Sequence, residues 1–103
     1  MVSVIIPTYN SAVYIQESIK SVTAQTYFDW ECIIIDDGSM DETDVLVKGE
    51  MKADKRIKYI PQENKGVSVA RNNGIHEASG EYLLFLDADD TLNPLALEKM
   101  TSI

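Results

Sequence analysis

The sequence predicts an α/β domain built on a parallel sheet of about four strands, with helices on both faces. Two observations point there. Four short apolar runs, at residues 2–6, 30–35, 56–60 and 82–86, are strand-length and rich in β-branched or aromatic side chains. A stretch with helical spacing or helix-end signals follows each of them, and such alternation demands crossovers between parallel strands.

Taken in order, "VSVII" (2–6) is a buried strand that Pro7 is expected to end. In "YNSAVYIQESIKSVTAQ", Ile15, Ile19 and Val22 fall at i, i+4 and i+7 with Ala12 on the same face. This is an amphipathic helix, with Asn10 or Ser11 as its expected N-cap. "WECIII" (30–35) is a second buried strand, punctuated by "DDGS" (36–39), and "MDETDVLVKGEM" is a weaker helix. "RIKYI" (56–60) is a third strand, closed by Pro61. "GVSVARNNGIHEAS" (66–79) carries Val67, Ala70, Gly74, Ile75 and Ala78 at helical spacing, with Gly80 as its stop. "YLLFL" (82–86) is a fourth strand, and Asn93 with Pro94 opens a last helix. Right-handed crossovers make the whole Rossmann-like.

The chain has 103 residues, enough for one small domain, with 45% apolar and 25% charged residues. Its net charge of −8 argues against nucleic acid and anionic membranes as partners. A bound phosphate compound would need backbone amides, a helix end or a metal ion to attract it. The single cysteine, Cys32, excludes an intrachain disulfide and a Cys-based zinc site. No apolar run is long enough to span a bilayer, and no basic segment precedes the first one to suggest a signal peptide. A cytoplasmic setting is the expectation, at the inner face of a membrane if other parts of a longer protein bring it there.

In a parallel sheet the C-terminal strand ends share one edge, where ligands bind. Here that edge gathers "PTYN" (7–10), "DDGS" (36–39), "PQENKG" (61–66) and "DADD" (87–90). These loops offer an aromatic face at Tyr9, paired acids with Ser39, Asn64 and Lys65 before a helix start, and three carboxylates within four residues. Ordering three like charges costs free energy unless a cation stands among them.

Five blocks, "VSVIIPTYN", "SIKSVTAQTY", "IIIDDGSMDET", "NKGVSVARNNGI" and "GEYLLFLDADDTL", together resemble the nucleotide-binding half of family 2 glycosyltransferases, which have the GT-A fold. The resemblance covers nearly the whole chain. It implies a nucleotide-sugar donor, UDP-linked, a divalent Mg2+ or Mn2+ ion, and sugar transfer to an acceptor in glycan or polysaccharide synthesis. Asp87 and Asp89 match the family's D-x-D, whose hard oxygen ligands suit such an ion bridging to a diphosphate. Asp89 is then the direct ligand; Asp87 ligates too, contacts ribose or acts through water. Asp90 is as well explained by loop solvation.

By the same resemblance Asp37 accepts the imide hydrogen of uracil, while Asp36 fixes its loop through backbone amides. Pro7 and Tyr9 wall the base, with Tyr9 stacking on it or simply packing at the helix start, and Thr8 contacts base or ribose only through its backbone. Arg71 either faces the diphosphate or pairs with an acid of "DDGS". Lys65 either approaches the nucleotide or is solvated, and His76 is a surface residue. Trp30 and Cys32 read as core.

In the family the catalytic base and the acceptor site come from the half that follows the D-x-D strand. The expectation for residues 1–103 is therefore the donor-binding part alone, inactive by itself, with the acceptor, sugar or lipid-linked, unassigned. An apolar edge or face left exposed at strand four would favour a homodimer. Two other readings stand beside this one. A non-catalytic nucleotide-binding or assembly module would keep the fold. A receiver-like phosphoacceptor domain would use Asp36 or Asp37, but it leaves "PTYN" and Asp87-x-Asp89 unexplained.

Overall fold

The computed structural model describes residues 1–102. Strands and helices alternate as β1 (Val2–Thr8), α1 (Ile15–Thr23), β2 (Trp30–Asp36), α2 (Thr43–Ala53), β3 (Ile57–Pro61), α3 (Val67–Glu77), β4 (Tyr82–Phe85) and α4 (Ala96–Thr101). The strands form one parallel sheet in the order β3-β2-β1-β4. The chain thus builds outward on one side of β1 and then crosses to the other. The ends of β1 and β4 meet at that reversal, where open α/β sheets bind ligands.

Pairing of β1 with β2 runs from Val2 beside Trp30 to Thr8 beside Asp36. Alternation then divides the core in two. Val2, Val4, Ile6, Cys32 and Ile34 pack with Ile15, Ile19 and Val22 of α1, Val47 of α2 and Leu97 of α4. Ile5, Ile33 and Ile35 face the other way, onto Ala70 of α3. Helices therefore cover both faces, three against one. On its face α3 lies close: a methyl group on Gly74 would collide with Ile5 Cγ2.

Several boundaries differ from expectation; among them, α3 ends at Glu77, with Ala78 already extended, and Gly80 is not its stop. Pro7 does not end β1, which continues to Thr8; the Asp37 amide donates to the Thr8 carbonyl at 2.8 Å. Neither Asn10 nor Ser11 caps α1, which starts at Ile15 after a turn in which the Tyr14 and Ile15 amides donate to the Ser11 carbonyl. Asn10 has φ of 46°, a left-handed conformation that asparagine tolerates, and this excludes it from a helix start. The amides there are satisfied from the loop after β2 instead. Asn10 N donates to Ser39 Oγ at 2.8 Å, Ser11 N to Thr43 Oγ1 at 3.1 Å and Ala12 N to Asp41 Oδ2 at 3.1 Å. Lastly, Asn93 caps a turn, with its Oδ1 accepting from Leu95 N at 2.9 Å, and α4 proper begins at Ala96.

β4 is an edge strand, and Tyr82, Leu83 and Phe85 on it are 39%, 38% and 42% exposed. The expected apolar face is present because, among the described residues, no element covers it fully. At the opposite end of the sheet from the ligand edge, buried Glu31 ties four segments together. It accepts from Ser3 Oγ at 2.6 Å, Ser79 N at 2.6 Å and Lys58 Nζ at 2.7 Å, while Gly80 N donates to Ser3 Oγ at 2.8 Å.

Candidate functional site

The ends of β1 and β2 and the start of α3 enclose a cleft of about 340 Å³, lined by Pro7, Thr8, Tyr9, Asp37, Asn64, Val67 and Ala70. Pro7 and Tyr9 are thus brought to one wall with Asp37, and Tyr9 keeps half of its surface exposed to offer a face. Val67 and Ala70 supply the apolar floor, which the loop motifs alone did not single out.

Asp37 is buried and spends most of its carboxylate on the loop after β3. Its Oδ1 accepts from Lys65 N at 2.7 Å and Gln62 Nε2 at 2.8 Å, and its Oδ2 from Gly66 N at 3.0 Å. Gly66 itself has φ of 96°, which lets the chain turn its amide toward the acid at the start of α3. Burial pushes the Asp37 carboxyl upward, but the hydrogen bonds from Lys65, Gln62 and Gly66 outweigh it and hold the group below the usual carboxylate range.

Asp36 is also buried. One oxygen accepts from Ser39 N at 2.9 Å, so it does fix its own loop through a backbone amide. The other takes the Tyr59 hydroxyl, a partner on β3 that strand patterning gave no reason to suspect. Burial first, then the bond to Asp36, pushes the Tyr59 phenol well above its ordinary range. Asn10 closes the assembly, accepting from Met40 N at 2.8 Å.

Beyond β4, Asp87, Asp89 and Asp90 are exposed, and each can place a carboxylate oxygen within 4.8 Å of the others. Oxygen-only ligands converging this closely, with open space for water and a ligand, fit a hard divalent cation. Arg71 stands beside them: its Nη2 lies 3.8 Å from Asp87 Oδ1. Arg71 pairs with an acid of the D-x-D loop and not with the "DDGS" loop, whose acids are occupied by Tyr59, Ser39, Gln62, Lys65 and Gly66.

The remaining candidates fall outside this constellation. Lys65 contributes its backbone amide to Asp37, and its side chain is exposed. Glu63 and His76 are exposed as well. Trp30 and Cys32 are core residues, with the Arg56 guanidinium 3.7 Å from the Trp30 ring centroid. Burial pushes the Cys32 thiol up to about 12, so it is no nucleophile at neutral pH.

Comparison with known proteins decides the family. The model of Glycosyl transferase family 2 matches residues 3–102. The chain belongs to this family. A relative in Rickettsia conorii, described as an uncharacterized glycosyltransferase, is 51% identical over 89 residues, which are 86% of this chain and 15% of that protein. S. aureus TarS 1-349, solved in complex with UDP-GlcNAc, superposes with a TM-score of 0.92 at 33% identity, over 98% of this chain and 30% of that one. The mannosyltransferase PcManGT from Pyrobaculum calidifontis, solved with GDP-Man and Mn2+, gives 0.82 at 29% identity, over 87% and 28%. This family 2 glycosyltransferase chain therefore has the GT-A-type α/β fold, and it spans less than a third of the length of each of these proteins.

Proposed function

We propose that residues 1–103 are the donor-binding part of a family 2 glycosyltransferase that takes a UDP-linked sugar together with Mg2+ or Mn2+ and passes the sugar to a growing glycan. One observation carries this reading. Ala70 lines the cleft that holds Pro7, Tyr9 and Asp37, and the next residue, Arg71, pairs with Asp87 of the acidic cluster. A single helix turn thus joins an apolar, aromatic-walled pocket to a cation-type site, which matches a ligand with a base at one end and a diphosphate at the other. The solved relatives with UDP-GlcNAc and with GDP-Man and Mn2+ support it.

In this reading Tyr9 and Pro7 hold the base between apolar surfaces. Asp37 accepts its ring N–H through the carboxylate capacity that the loop leaves free. Asp89 and Asp87 hold the cation, which when bound neutralises negative charge on the leaving diphosphate. Arg71 adds a guanidinium at the junction, where phosphate oxygens and carboxylates compete for it. Acceptor binding and removal of the acceptor proton are assigned to the rest of the protein, since the acids of the cleft are engaged with the loop and those of the cluster with the cation.

No helix among the described residues is long and apolar enough to cross a membrane. The phosphoacceptor reading loses its basis, because Asp36 and Asp37 are buried and hydrogen-bonded. A non-catalytic nucleotide-binding module would bind the same ligand. Calorimetry with UDP, in Mn2+ and again in chelator, tests the shared claim: binding is expected only with the cation, and equal binding in both conditions would remove the metal from the account. UDP release that depends on acceptor, measured on a chain with its natural downstream sequence, separates enzyme from module.

A further inference from the structure

One hydrogen-bonded chain that ends on Asp37 has no role in the reading above. Asn73 Nδ2, on α3, donates to Gln62 Oε1, and Gln62 Nε2 donates to Asp37 Oδ1 at 2.8 Å. The order of donors is fixed by chemistry. An ionised carboxylate only accepts, so Gln62 must turn its NH2 to Asp37; its oxygen then faces Asn73, which must answer with its own NH2. The chain therefore has one polarity, set from the acid outward.

Its consequence lies on Asp37. A carboxylate has about four acceptor positions, two on each oxygen. Oδ1 fills both, with Gln62 Nε2 and Lys65 N. Oδ2 takes Gly66 N alone. The one acceptor position left is on Oδ2 of a buried side chain that lines the cleft. The Lys65 and Gly66 amides hold the carboxylate from the backbone that leads into α3. Gln62 adds the one side-chain donor, and Asn73 fastens it to the same helix, which packs on the sheet.

We propose that Gln62 and Asn73 are positioning residues for base selection: they hold the Asp37 carboxylate in one orientation, so that a single oxygen, Oδ2, accepts from a nucleobase bearing a ring N–H. The inference deepens the donor-binding reading and rests on it. Uracil presents such an N–H; cytosine presents a lone pair at the same ring position and is repelled. Without the anchor the carboxylate can turn away from the ring N–H, so uracil loses its acceptor while cytosine, which had no partner there, loses nothing. Selection here is an unpaired buried acceptor set against a paired one, which is the kind of difference that discriminates strongly.

The test is calorimetry of UDP and CDP, with Mn2+, on the parent, Gln62→Met and Asn73→Ala, each verified as folded by its amide spectrum. The parent should prefer UDP. Gln62→Met should cut the UDP-to-CDP preference roughly three- to tenfold, within the effect of a hydrogen bond to a charged group, mainly by weakening UDP. Asn73→Ala should move the ratio in the same direction by less, since Gln62 keeps its bond to Asp37; it also carries the test if Gln62→Met does not fold. Folded variants that keep the parent's ratio, or that lose both nucleotides equally, overturn this inference and leave the cleft reading standing. A parent that binds neither nucleotide overturns the cleft reading and this inference with it.

Discussion

Arg71 Nη2 stands 3.8 Å from Asp87 Oδ1, and its guanidinium carbon lies 6.0 Å from the Phe85 ring centroid. Both partners in the ion pair are substantially exposed, so the pair contributes little to stability, about 0–1 kcal/mol. Its weight is local: it is a protein cation set against the cluster where a metal ion is expected to bind.

Replacing that cation should separate two ligands. Arg71→Met should tighten Mn2+ alone by up to about fivefold, because a competitor for Asp87 is gone, an effect within the worth of an exposed pair. The same change should weaken UDP in saturating Mn2+, since a phosphate partner is lost. Titration of each ligand into both proteins checks this; a change of the same sign for both would remove Arg71 from the junction.

Gly74→Ala should destabilise the domain by roughly 1–3 kcal/mol, the cost of overpacking a filled interior. The added methyl meets Ile5 Cγ2, and Ile5 is fully buried in the central strand. Urea denaturation should show a lower midpoint with an unchanged slope. An unchanged midpoint would mean that α3 slides freely on the sheet, and the cleft floor at Ala70 would then be poorly fixed.

Glu31 should make the domain sensitive to acid. Burial raises its carboxyl, but hydrogen bonds from Lys58, Ser3 and Ser79 and the Lys58 charge outweigh that and lower it below its ordinary 4.5. The group therefore contributes stability that is present above pH 4.5 and is lost as pH falls through the lower, folded value. Glu31→Gln should lower stability at pH 7 by roughly 1–3 kcal/mol, as charge-assisted bonds become neutral ones. The difference between mutant and parent should shrink as the pH falls. A difference constant from pH 7 to pH 3 would place the loss in packing rather than in ionisation.

Much of this was legible in the residues. The alternation of strand-length apolar runs with helical spacing fixed the order of elements, because period and length are properties of neighbours in sequence. Residues Pro7, Tyr9 and Asp37 line one cleft and Asp87 and Asp89 share one cluster, as expected from their strand-end positions. What could not be read were pairings across the sheet edge. Asn10 looked like a helix cap, but its left-handed backbone and its bond to Met40 commit it to the neighbouring loop. Asp37 looked like a free acceptor, but three donors from residues 62–66 claim it first. Arg71 also pairs with Asp87, a contact that its place in the sequence did not indicate. Gln62 and Asn73 carried no signal at all, since an amide pair gains meaning only when a turn brings it to a carboxylate.

Cys32 gives a simple check on the core. With its thiol buried between β-strand neighbours and pushed up to about 12, it should resist alkylation in the native protein at pH 8 and react once urea unfolds the chain. Rapid labelling under native conditions would show that the face beneath α1 and α2 opens readily.

The central claim is that one ligand spans the cleft and the acidic cluster. The most direct measurement is the amide spectrum of the protein titrated with Mn2+ in the presence and absence of UDP. Paramagnetic broadening should begin at residues 87–90 and reach Arg71. UDP should strengthen that broadening while shifting the amides of Tyr9, Asp37, Lys65 and Gly66. Broadening centred elsewhere on this acidic chain, or UDP shifts that leave those four amides in place, would contradict the account.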